Sequence, residues 1–435
     1  MENLTPGLSF RIILDIVYFL FLPVIAMGYV LKRKYHAGWL ERICFTRWRS
    51  IVKEQSSFVW IHAVSLGEAR LAVMLYEKLK SEFGRFKYLL TAVTPAGEKF
   101  LRTHISSSDY AAYLPLDFSF LMRYVFSKLN VKMVLIVETE IWPHLIIEAK
   151  RRNVSVGLVN ARISKKSYPR YKALKPLTKR ILNLFDFVCP SGEIAAERLK
   201  SLGLQDDRVV FTGTLKFDLT PPAVREDNRI EQLEHFLKKK NRLLFIAGST
   251  HQNEDILIFK AYRNLIKNYP DLKFLIAPRH LAPRHFKKSG SFTSYVKKAG
   301  FDVELFSCGF KFSSPRSIFL VDETGFLASL YRLADFVFIG GSLIPFGGHN
   351  VIEPALLKKA IVIGPYFYNF EEIVLEFLKE NAILVSQKNE IEDSFKMLIS
   401  NTELRTELGN RAYQVVLKNK GALDKTAGTV FSHLR

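Results

Sequence analysis

Two series of short apolar runs, each run followed by a stretch with helical spacing, constrain the fold of this 435-residue chain more than any other feature. The runs are rich in β-branched and aromatic residues. They cover 58–63, 87–93, 132–138, 154–160, 185–190 and 208–213 in the first series, and 243–249, 272–278, 317–322, 335–341, 360–365 and 382–387 in the second. Apolar strands that alternate with helices form parallel sheets covered on both faces. The sequence therefore predicts an α/β protein with two doubly wound, Rossmann-like domains.

A polar stretch separates the two series, since residues 219–241 include Pro221–Pro222 and end in the basic run Lys238–Lys240. Ligands of doubly wound domains bind outside the carboxyl ends of the strands, often in a cleft between domains. We therefore expect site residues to follow strands, with a cleft between the two domains. The predicted organisation is a membrane anchor over 1–35, a first domain over 36–220, a linker over 221–241, a second domain over 242–415, and a C-terminal helix over 416–435 that packs back toward the first domain.

The N-terminal segment predicts attachment to a membrane. Between Leu8 and Leu31 only Arg11 and Asp15 are charged, and a spacing of four residues would let them pair on a helix. The stretch is about as long as a helix that crosses a ~30 Å hydrocarbon core. Basic Lys32–Lys34 follow at once, so the positive-inside rule puts the rest of the chain in the cytoplasm. Because Pro23 would kink the helix, both a spanning helix and one lying in the interface stay open.

The charge balance predicts an anionic partner. The chain has 63 Lys+Arg against 42 Asp+Glu, a formal net charge of +21, which suits nucleic acid, an anionic membrane or phosphorylated substrates. The basic residues are spread along the chain and no nucleic-acid-binding module accompanies them, so we expect no nucleic-acid partner. Cys44, Cys189 and Cys308 are far apart, which argues against a disulfide framework or a CxxC zinc site. No cluster has metal-ligand spacing, and we expect neither a metal nor a cofactor.

Carboxylates and a lysine follow strands of the first predicted domain. Ser65 and Glu68 match a capping box, so Glu68 either satisfies a helix N-terminus or, at the end of an inner strand, acts as a general base. Glu138 and Glu140 follow their strand with one residue between them, and we expect one of the two to point into a crevice. The alternative is a pair of solvated acids. Lys216 either reaches a bound anion or is an ordinary surface lysine.

The second predicted domain carries the features of an anion site. Arg279 follows a strand, and arginine binds phosphate in a bidentate manner. The turn Gly248–His251 is a candidate anion nest. The glycines of Gly340–Ser342 and Gly347–Asn350 let the backbone approach a ligand. Glu353 follows them, and in dinucleotide sites an acidic residue accepts hydrogen bonds from the ribose hydroxyls. The pattern is neither GxGxxG nor a P-loop, and a tight glycine loop without a ligand is the alternative.

Together these motifs resemble the Kdo (3-deoxy-D-manno-octulosonic acid) transferases of lipopolysaccharide synthesis. Members of that family are membrane-attached glycosyltransferases with the GT-B fold of two Rossmann-like domains. The matching stretches follow the family's order over nearly the whole chain. They are Trp60–Glu68, Thr94–Gly97, Tyr113–Asp117, Glu138–Pro143, Asn160–Ser164, Gly213–Asp218, Ala247–His251, Pro278–His280, Gly340–Ser342, Gly347–Asn350, Glu353–Pro354 and Gly364–Pro365.

The resemblance implies an inverting glycosyltransferase that moves one or more Kdo units from CMP-Kdo to a hydroxyl of a lipid A precursor. It further implies catalysis at the cytoplasmic face of the bacterial inner membrane, beside anionic lipids. The first domain would bind the acceptor and the second the nucleotide sugar. The alternative is another membrane-associated GT-B glycosyltransferase that uses a UDP-sugar and a lipid acceptor.

The resemblance also assigns roles to residues. The family's general base falls on Glu68, and its transition-state-stabilising positions fall on Glu138 and Lys216. Its CMP contacts fall on Pro278, Arg279, Gly325, Phe326, Leu327, Asn350, Val351, Ile352 and Glu353. The family usually has Glu where Phe326 stands, so a backbone contact would survive here and a side-chain contact would not. Two family glycines are also lost within Gly38–Cys44, which leaves the role of Glu41 open.

Overall fold

The computed structural model describes residues 7–31, 38–44, 47–165, 167–220, 225–280, 291–312 and 314–434. The basic run Lys32–Lys34 and the pair Pro221–Pro222 lie outside these residues. The chain divides into two compact units. Unit 1 comprises Met1–Leu219 and Lys420–Arg435, and unit 2 comprises Thr220–Asn419.

Unit 1 is built on a parallel six-stranded sheet of β1 (Ser57–His62), β2 (Lys87–Ala92), β3 (Tyr110–Tyr113), β4 (Asn130–Val137), β5 (Ser155–Ala161) and β6 (Phe187–Pro190). The strand order is β3-β2-β1-β4-β5-β6, so the direction of winding reverses between β1 and β4. This reversal is the switch point at which doubly wound folds bind their ligands.

The helices of unit 1 cover both faces of this sheet. They are α1 (Leu8–Leu31), α2 (Gly38–Cys44), α3 (Trp48–Ile51), α4 (Leu66–Glu82), α5 (Pro95–His104), α6 (Ser119–Lys128), α7 (Pro143–Lys150), α8 (Tyr168–Ala173), α9 (Lys175–Leu182) and α10 (Glu193–Ser201), with the C-terminal helix Ala422–His433. Side chains alternate between the two faces of β1 and so contribute to two hydrophobic cores. Phe58 and Trp60 pack in one core, and Val59 and Ile61 pack in the other.

One predicted strand of unit 1 does not form. Within 208–213, Val209 makes a single parallel bridge to Val188, and Arg208 ends a short 3-10 turn. Conversely, β3 (Tyr110–Tyr113) was not expected, since its sequence YAAY is short and contains no β-branched residue. The prediction of a parallel sheet is nonetheless confirmed.

The pairing of Arg11 with Asp15 that the helical spacing would allow is not the one found among the described residues. Arg11 instead donates from Nη1 to Glu148 at 2.9 Å, and Asp15 accepts from the backbone N–H of Ser119 at 2.9 Å. Asp15 also lies 3.2 Å from His144 Nε2. The two charges of α1 therefore bind unit 1 separately, because tertiary partners compete with the neighbour four residues away. Among the described residues, no helix combines the length and apolar character needed to cross a membrane.

Unit 2 contains a parallel seven-stranded sheet of β7 (Leu244–Thr250), β8 (Lys273–Pro278), β9 (Asp302–Leu305), β10 (Ser317–Leu320), β11 (Phe336–Ile339), β12 (Ala360–Ile363) and β13 (Leu384–Val385), in the order β13-β12-β11-β7-β8-β10-β9. Its helices are α11 (Asn228–Lys238), α12 (Glu254–Leu265), α13 (Phe292–Lys298), α14 (Leu327–Tyr331), α15 (Ile352–Leu356), α16 (Glu371–Lys379), α17 (Ile391–Ser400) and α18 (Thr402–Lys418). The sheet reverses between β7 and β11, so this unit also has a switch point. The helix at the C-terminus of unit 1 is α19 (Ala422–His433).

Candidate functional site

Glu68 begins α4 at the carboxyl end of β1 and forms the expected capping box. Ser65 accepts from the backbone N–H of Glu68, and the Glu68 carboxylate reaches back to the preceding turn. Its Oε2 accepts from the N–H of Val64 at 2.6 Å and from that of Ser65 at 3.4 Å, and its Oε1 accepts from Ser65 Oγ at 2.8 Å. These bonds hold the carboxylate in one orientation at the switch point of unit 1.

The capping role leaves Glu68 with capacity for one more hydrogen bond. An ionised carboxylate has about four acceptor positions, and groups in the described part of the chain occupy three of them. Burial raises the pKa of Glu68, and the negative charge of Glu138 raises it further, despite the opposing hydrogen bonds. A carboxylate with a raised pKa and one free lone pair on Oε1 can accept a proton from a hydroxyl.

Glu138 directly follows β4 and forms an ion pair with Lys216, which lies in the 3-10 turn Leu215–Asp218. Lys216 Nζ lies 2.8 Å from Glu138 Oε1. Burial raises the pKa of Glu138, but Lys216 and Arg162 outweigh it and hold this pKa below its ordinary value. Glu138 has φ 60°, a left-handed conformation that costs a residue with a side chain about 1–3 kcal/mol. Strain of this kind at a strand end is typical of functional sites.

Asn160 positions this ion pair and was not among the predicted site residues. Its Nδ2 lies 3.5 Å from Glu138 Oε1, and its Oδ1 accepts from Thr214 Oγ1 at 3.0 Å and from the N–H of Leu215 at 3.1 Å. The fully buried amide thus ties the segment that carries Lys216 to the segment that carries Glu138. The stretch Asn160–Ser164 belongs to the family resemblance, which is the signal that could have identified it.

Glu140 is the third acid of the cluster. The sequence pattern expected one of Glu138 and Glu140 to point inward, and both carboxylates in fact interact with Glu68 electrostatically. Burial raises the pKa of Glu140 to about 7, with further contributions from the charges of Glu68 and Glu138. The pKa values of these three carboxyls differ because, among the residues that the structure describes, only Glu138 of the three has a cationic partner, at 2.8 Å.

In unit 2, a buried glutamate shapes the glycine-rich segment after β11. Glu254 accepts from the backbone N–H groups of Gly341, Ser342 and Leu343 at 2.6–2.9 Å and from that of His251 at 3.2 Å. A Cβ on Gly340 would lie 2.4 Å from the carbonyl oxygen of Ser249, so only glycine fits there. The turns after β7 and β11 are thereby joined at the second switch point.

Imidazole side chains line this junction. His251 Nε2 and His349 Nε2 are 2.9 Å apart, so one ring donates and the other accepts. Burial and nearby cationic groups lower the pKa of His251 to about 4 and that of His349 to about 3, which keeps both rings neutral. His251 also stacks on Phe346 at 4.1 Å between ring centroids. His280, at the end of β8, lies edge-on to His251 with centroids 5.7 Å apart.

The predicted CMP-contacting residues all lie in unit 2, in three segments. Pro278 ends β8 and Arg279 follows it, and Arg279 is near enough to lower the pKa of His349, the residue before Asn350. Asn350 Oδ1 accepts from the N–H of Ile352, and its Nδ2 donates to Glu353. The third segment, Gly325–Leu327, begins α14, which packs against α15.

Side-chain directions limit how these segments can contact a nucleotide. Val351 and Ile352 are buried in the core, so only their backbones are available. Phe326 contacts Phe306 at 4.8 Å and lies beneath the guanidinium groups of Arg225 and Arg229 at 5.2 and 5.3 Å. The aromatic ring that stands where the family usually has Glu is thus engaged by protein groups, which leaves the backbone as the contact that this segment offers.

Comparison with known proteins identifies the family. The sequence profile of the family described as 3-deoxy-D-manno-octulosonic-acid transferase (kdotransferase) matches residues 37–219. A 3-deoxy-D-manno-octulosonic acid transferase from Haemophilus influenzae is 30% identical over 371 residues, which are 84% of this chain and 85% of that protein. The chain belongs to the Kdo transferase family.

Further relatives of this Kdo transferase agree with the fold. A bifunctional glycosyltransferase/methyltransferase from Fusobacterium nucleatum is 34% identical over 366 residues, which are 78% of this chain and 55% of that protein. The crystal structure of a UDP-GlcNAc 2-epimerase from Neisseria meningitidis has a TM-score of 0.58 at 14% identity and covers 86% of this chain and 100% of that one. At that identity the likeness shows the fold alone, namely two α/β units with parallel sheets.

The part of this Kdo transferase that the structure describes contains no group of three or more His, Cys, Asp or Glu side chains that could hold a metal ion. Independence from added metal stays a prediction, to be checked by activity in the presence of a chelator. Cys189 is buried and Cys308 is exposed, and neither is in a disulfide.

Proposed function

We propose that this protein transfers Kdo from CMP-Kdo to a hydroxyl of a lipid A precursor, with inversion at the anomeric carbon. The observation that carries the proposal is the Glu68 carboxylate, which keeps one acceptor position open beside the Glu138–Lys216 ion pair. The family membership supports Kdo as the transferred sugar and disfavours the UDP-sugar alternative.

The proposed reaction forms one bond and breaks one. The acceptor hydroxyl oxygen attacks the anomeric carbon of Kdo, the bond from that carbon to the phosphate oxygen breaks, and CMP leaves with the bonding electrons. Glu68 takes the hydroxyl proton from the face opposite to the leaving group. Lys216 contributes positive charge, which stabilises negative charge that develops in the transition state. In unit 2, Arg279 and the backbone at Asn350–Glu353 hold the CMP moiety.

Mass analysis of products tests this proposal directly. The full chain is incubated with CMP-Kdo and a tetra-acylated lipid A precursor, and in a parallel sample with UDP-sugars. The expected result is an acceptor heavier by one or more Kdo residues with CMP-Kdo only. Transfer from a UDP-sugar, or no transfer from CMP-Kdo, would contradict the proposal.

We further propose that α1 attaches the protein to the cytoplasmic face of the inner membrane. The polar side of α1 is used by unit 1, since Arg11 is buried and bonded to Glu148. The opposite side is apolar and open to solvent, with the exposed residues Leu8, Ile12, Ile13, Ile16, Val17, Phe19 and Leu20. Phe120, which follows the Ser119 that binds Asp15, is also exposed. Exposed apolar residues on this scale mark an interaction site, and lipid acyl chains suit them.

Co-sedimentation with vesicles of phosphatidylethanolamine and phosphatidylglycerol tests the attachment. Phe19→Glu and Leu20→Glu alter residues that are 70% and 67% exposed, so we expect weaker sedimentation with an unchanged melting temperature. Leu417→Glu, on α18 of unit 2 and 40% exposed, is the matched control. Equal sedimentation of all variants would contradict attachment through α1.

A further inference from the structure

The C-terminal helix α19 is bonded to the turn that carries Lys216. This is the 3-10 turn Leu215–Asp218, and its last residue, Asp218, accepts from two backbone N–H groups at the start of α19. Its Oδ1 accepts from the N–H of Gly421 at 2.7 Å, and its Oδ2 accepts from the N–H of Leu423 at 2.8 Å. The start of a helix leaves N–H groups without an intrahelical partner, and a carboxylate suits its positive end. Asp218 therefore fixes α19 to the turn with both of its oxygens.

Apolar packing joins the same two elements. Leu215, the first residue of the turn, is fully buried in a hydrophobic core that also contains Ala422, Ala427 and Val430 of α19. The turn thus shares a core with the helix at one end and is hydrogen-bonded to it at the other, through Asp218.

The chain passes this place twice. Leu219 is the last residue of unit 1 before the chain enters unit 2, and Lys420 is the first residue after it returns. Asp218 directly precedes Leu219, and Gly421 directly follows Lys420. The bond from Gly421 to Asp218, across 203 positions of sequence, therefore joins the outgoing and the returning segments within unit 1.

Lys216 is consequently fixed from both sides. Asn160 Oδ1 accepts from the two residues before Lys216 at 3.0 and 3.1 Å, and Asp218 fixes the turn on the other side. Between these anchors, Lys216 Nζ lies 2.8 Å from Glu138 Oε1. A flexible lysine side chain is placed only as well as its backbone, and a displacement of about 1 Å in a catalytic group can cost about 10²-fold in rate.

We propose that Asp218 is a positioning residue for the transfer reaction, because its bonds to the start of α19 fix the turn that places Lys216 beside Glu138. The inference rests on the proposed function. It adds the C-terminal helix to the parts of the chain on which the reaction rate depends, and Asp218 acts only through Lys216.

Asp218→Asn tests the positioning. The side chain keeps its shape, and its carbonyl oxygen still accepts from one N–H group while its amide N–H opposes the other. We expect kcat to fall about 10- to 100-fold, the effect of a displacement of up to about 1 Å. The KM for CMP-Kdo should stay within about twofold of wild type, because the predicted nucleotide contacts lie in unit 2. The melting temperature should fall by about 3–12 °C, so kcat is measured below the transitions of both proteins.

A double-mutant cycle shows whether Asp218 acts through Lys216. Lys216→Met removes the cation that the turn positions, so the position of the turn no longer matters to that group. Addition of Asp218→Asn to Lys216→Met should therefore change kcat by no more than about twofold. The same substitution in the wild-type chain should show the full loss.

Asp424→Asn is the matched control. Asp424 is also an acid in the first turn of α19, but it pairs with Lys78 Nζ at 2.6 Å, and its side chain is 71% exposed. Exposed ion pairs contribute little to stability. We expect Asp424→Asn to keep the kcat of wild type within about twofold.

Three results would overturn the positioning role. A wild-type kcat in folded Asp218→Asn would leave Asp218 as a helix cap alone. An equal further loss in the Lys216→Met background would show that Asp218 acts on another part of the fold. A loss of kcat in Asp424→Asn as large as that in Asp218→Asn would assign the effect to negative charge at the start of α19. Absence of Kdo transfer by the wild-type protein would instead overturn the proposed function, so the two failures are distinguishable.

Discussion

Replacement of Glu68 by glutamine separates its two roles, helix cap and general base. The carbonyl oxygen of the introduced amide can still accept from the N–H of Val64, now bonded at 2.6 Å, while the amide nitrogen can donate to Ser65 Oγ. Loss of a cap costs about 0.5–2 kcal/mol. Burial raises the pKa of Glu68, so the fold disfavours its ionised form, and a neutral amide offsets part of that cost at pH 7. We expect a melting temperature within about 2–4 °C of wild type, the effect of about 1 kcal/mol in a unit of this size.

The same change should remove most of the activity. A positioned general base contributes about 10²- to 10⁴-fold, which corresponds to roughly 3–5 kcal/mol of barrier. That loss exceeds anything the small change in stability would cause in a folded enzyme. The assay is the initial rate of Kdo transfer at saturating CMP-Kdo, with melting followed on the same samples.

Ser65→Ala is the complementary control. It removes the bond from Ser65 Oγ to Glu68 Oε1, at 2.8 Å, and leaves the carboxylate in place. We expect a stability loss of about 1 kcal/mol and a rate within about tenfold of wild type. If Glu68→Gln retains the wild-type rate, or if Ser65→Ala loses as much rate as Glu68→Gln, the assignment of Glu68 as base is refuted and the cap alone remains.

Three further perturbations follow from the same geometry. Glu140→Gln should remove an ionisation near pH 7 from the rate profile, because burial raises the pKa of Glu140 to about 7; a step that persists in the variant would belong to another group. Lys216→Met leaves Glu138 without its partner at 2.8 Å, so the pKa of Glu138 should rise and kcat should fall, while the inhibition constant of CMP stays unchanged. Glu254→Gln presents an amide N–H to two of the four backbone donors and should lower the melting temperature by about 6–24 °C, the cost of two buried hydrogen bonds to a charge. A shift below about 2 °C would contradict this count.

The sequence predicts part of the candidate site because it predicts where strands end, and ligands of this fold bind at those ends. Apolar runs mark parallel strands, and parallel strands place their carboxyl ends at one edge. Glu68 is thereby a candidate from the sequence alone, since it follows β1. Lys216 was predicted from a strand over 208–213 that does not form, and it lies instead in the 3-10 turn Leu215–Asp218. The ion pair of Glu138 with Lys216 required the structure, since the two residues are far apart along the chain and no local period connects such distant positions.

The contacts that position the site were not accessible from the sequence. Spacing shows only that Arg11 and Asp15 could pair, because a helical period identifies only neighbours on the same helix. The actual partner of Arg11 is Glu148, 137 residues away. Likewise, Glu254 appears in the sequence as an ordinary first-turn acid of α12, and only the tertiary fold brings the turn after β11 onto it.

The three carboxyls of unit 1 can be assigned to roles by their different environments. A base must be ionised at working pH, yet basic enough to take a proton, and must have a free lone pair. Glu138 fails the second condition, because Lys216 and Arg162 lower its pKa and Lys216 occupies its Oε1. Glu140, with a pKa of about 7, is protonated in much of the population at neutral pH and fails the first. Glu68 suits the second and third conditions, since burial raises its pKa while three hydrogen bonds from described residues fix its orientation and leave one acceptor position. The capping box therefore orients the base, so the two roles of Glu68 support each other.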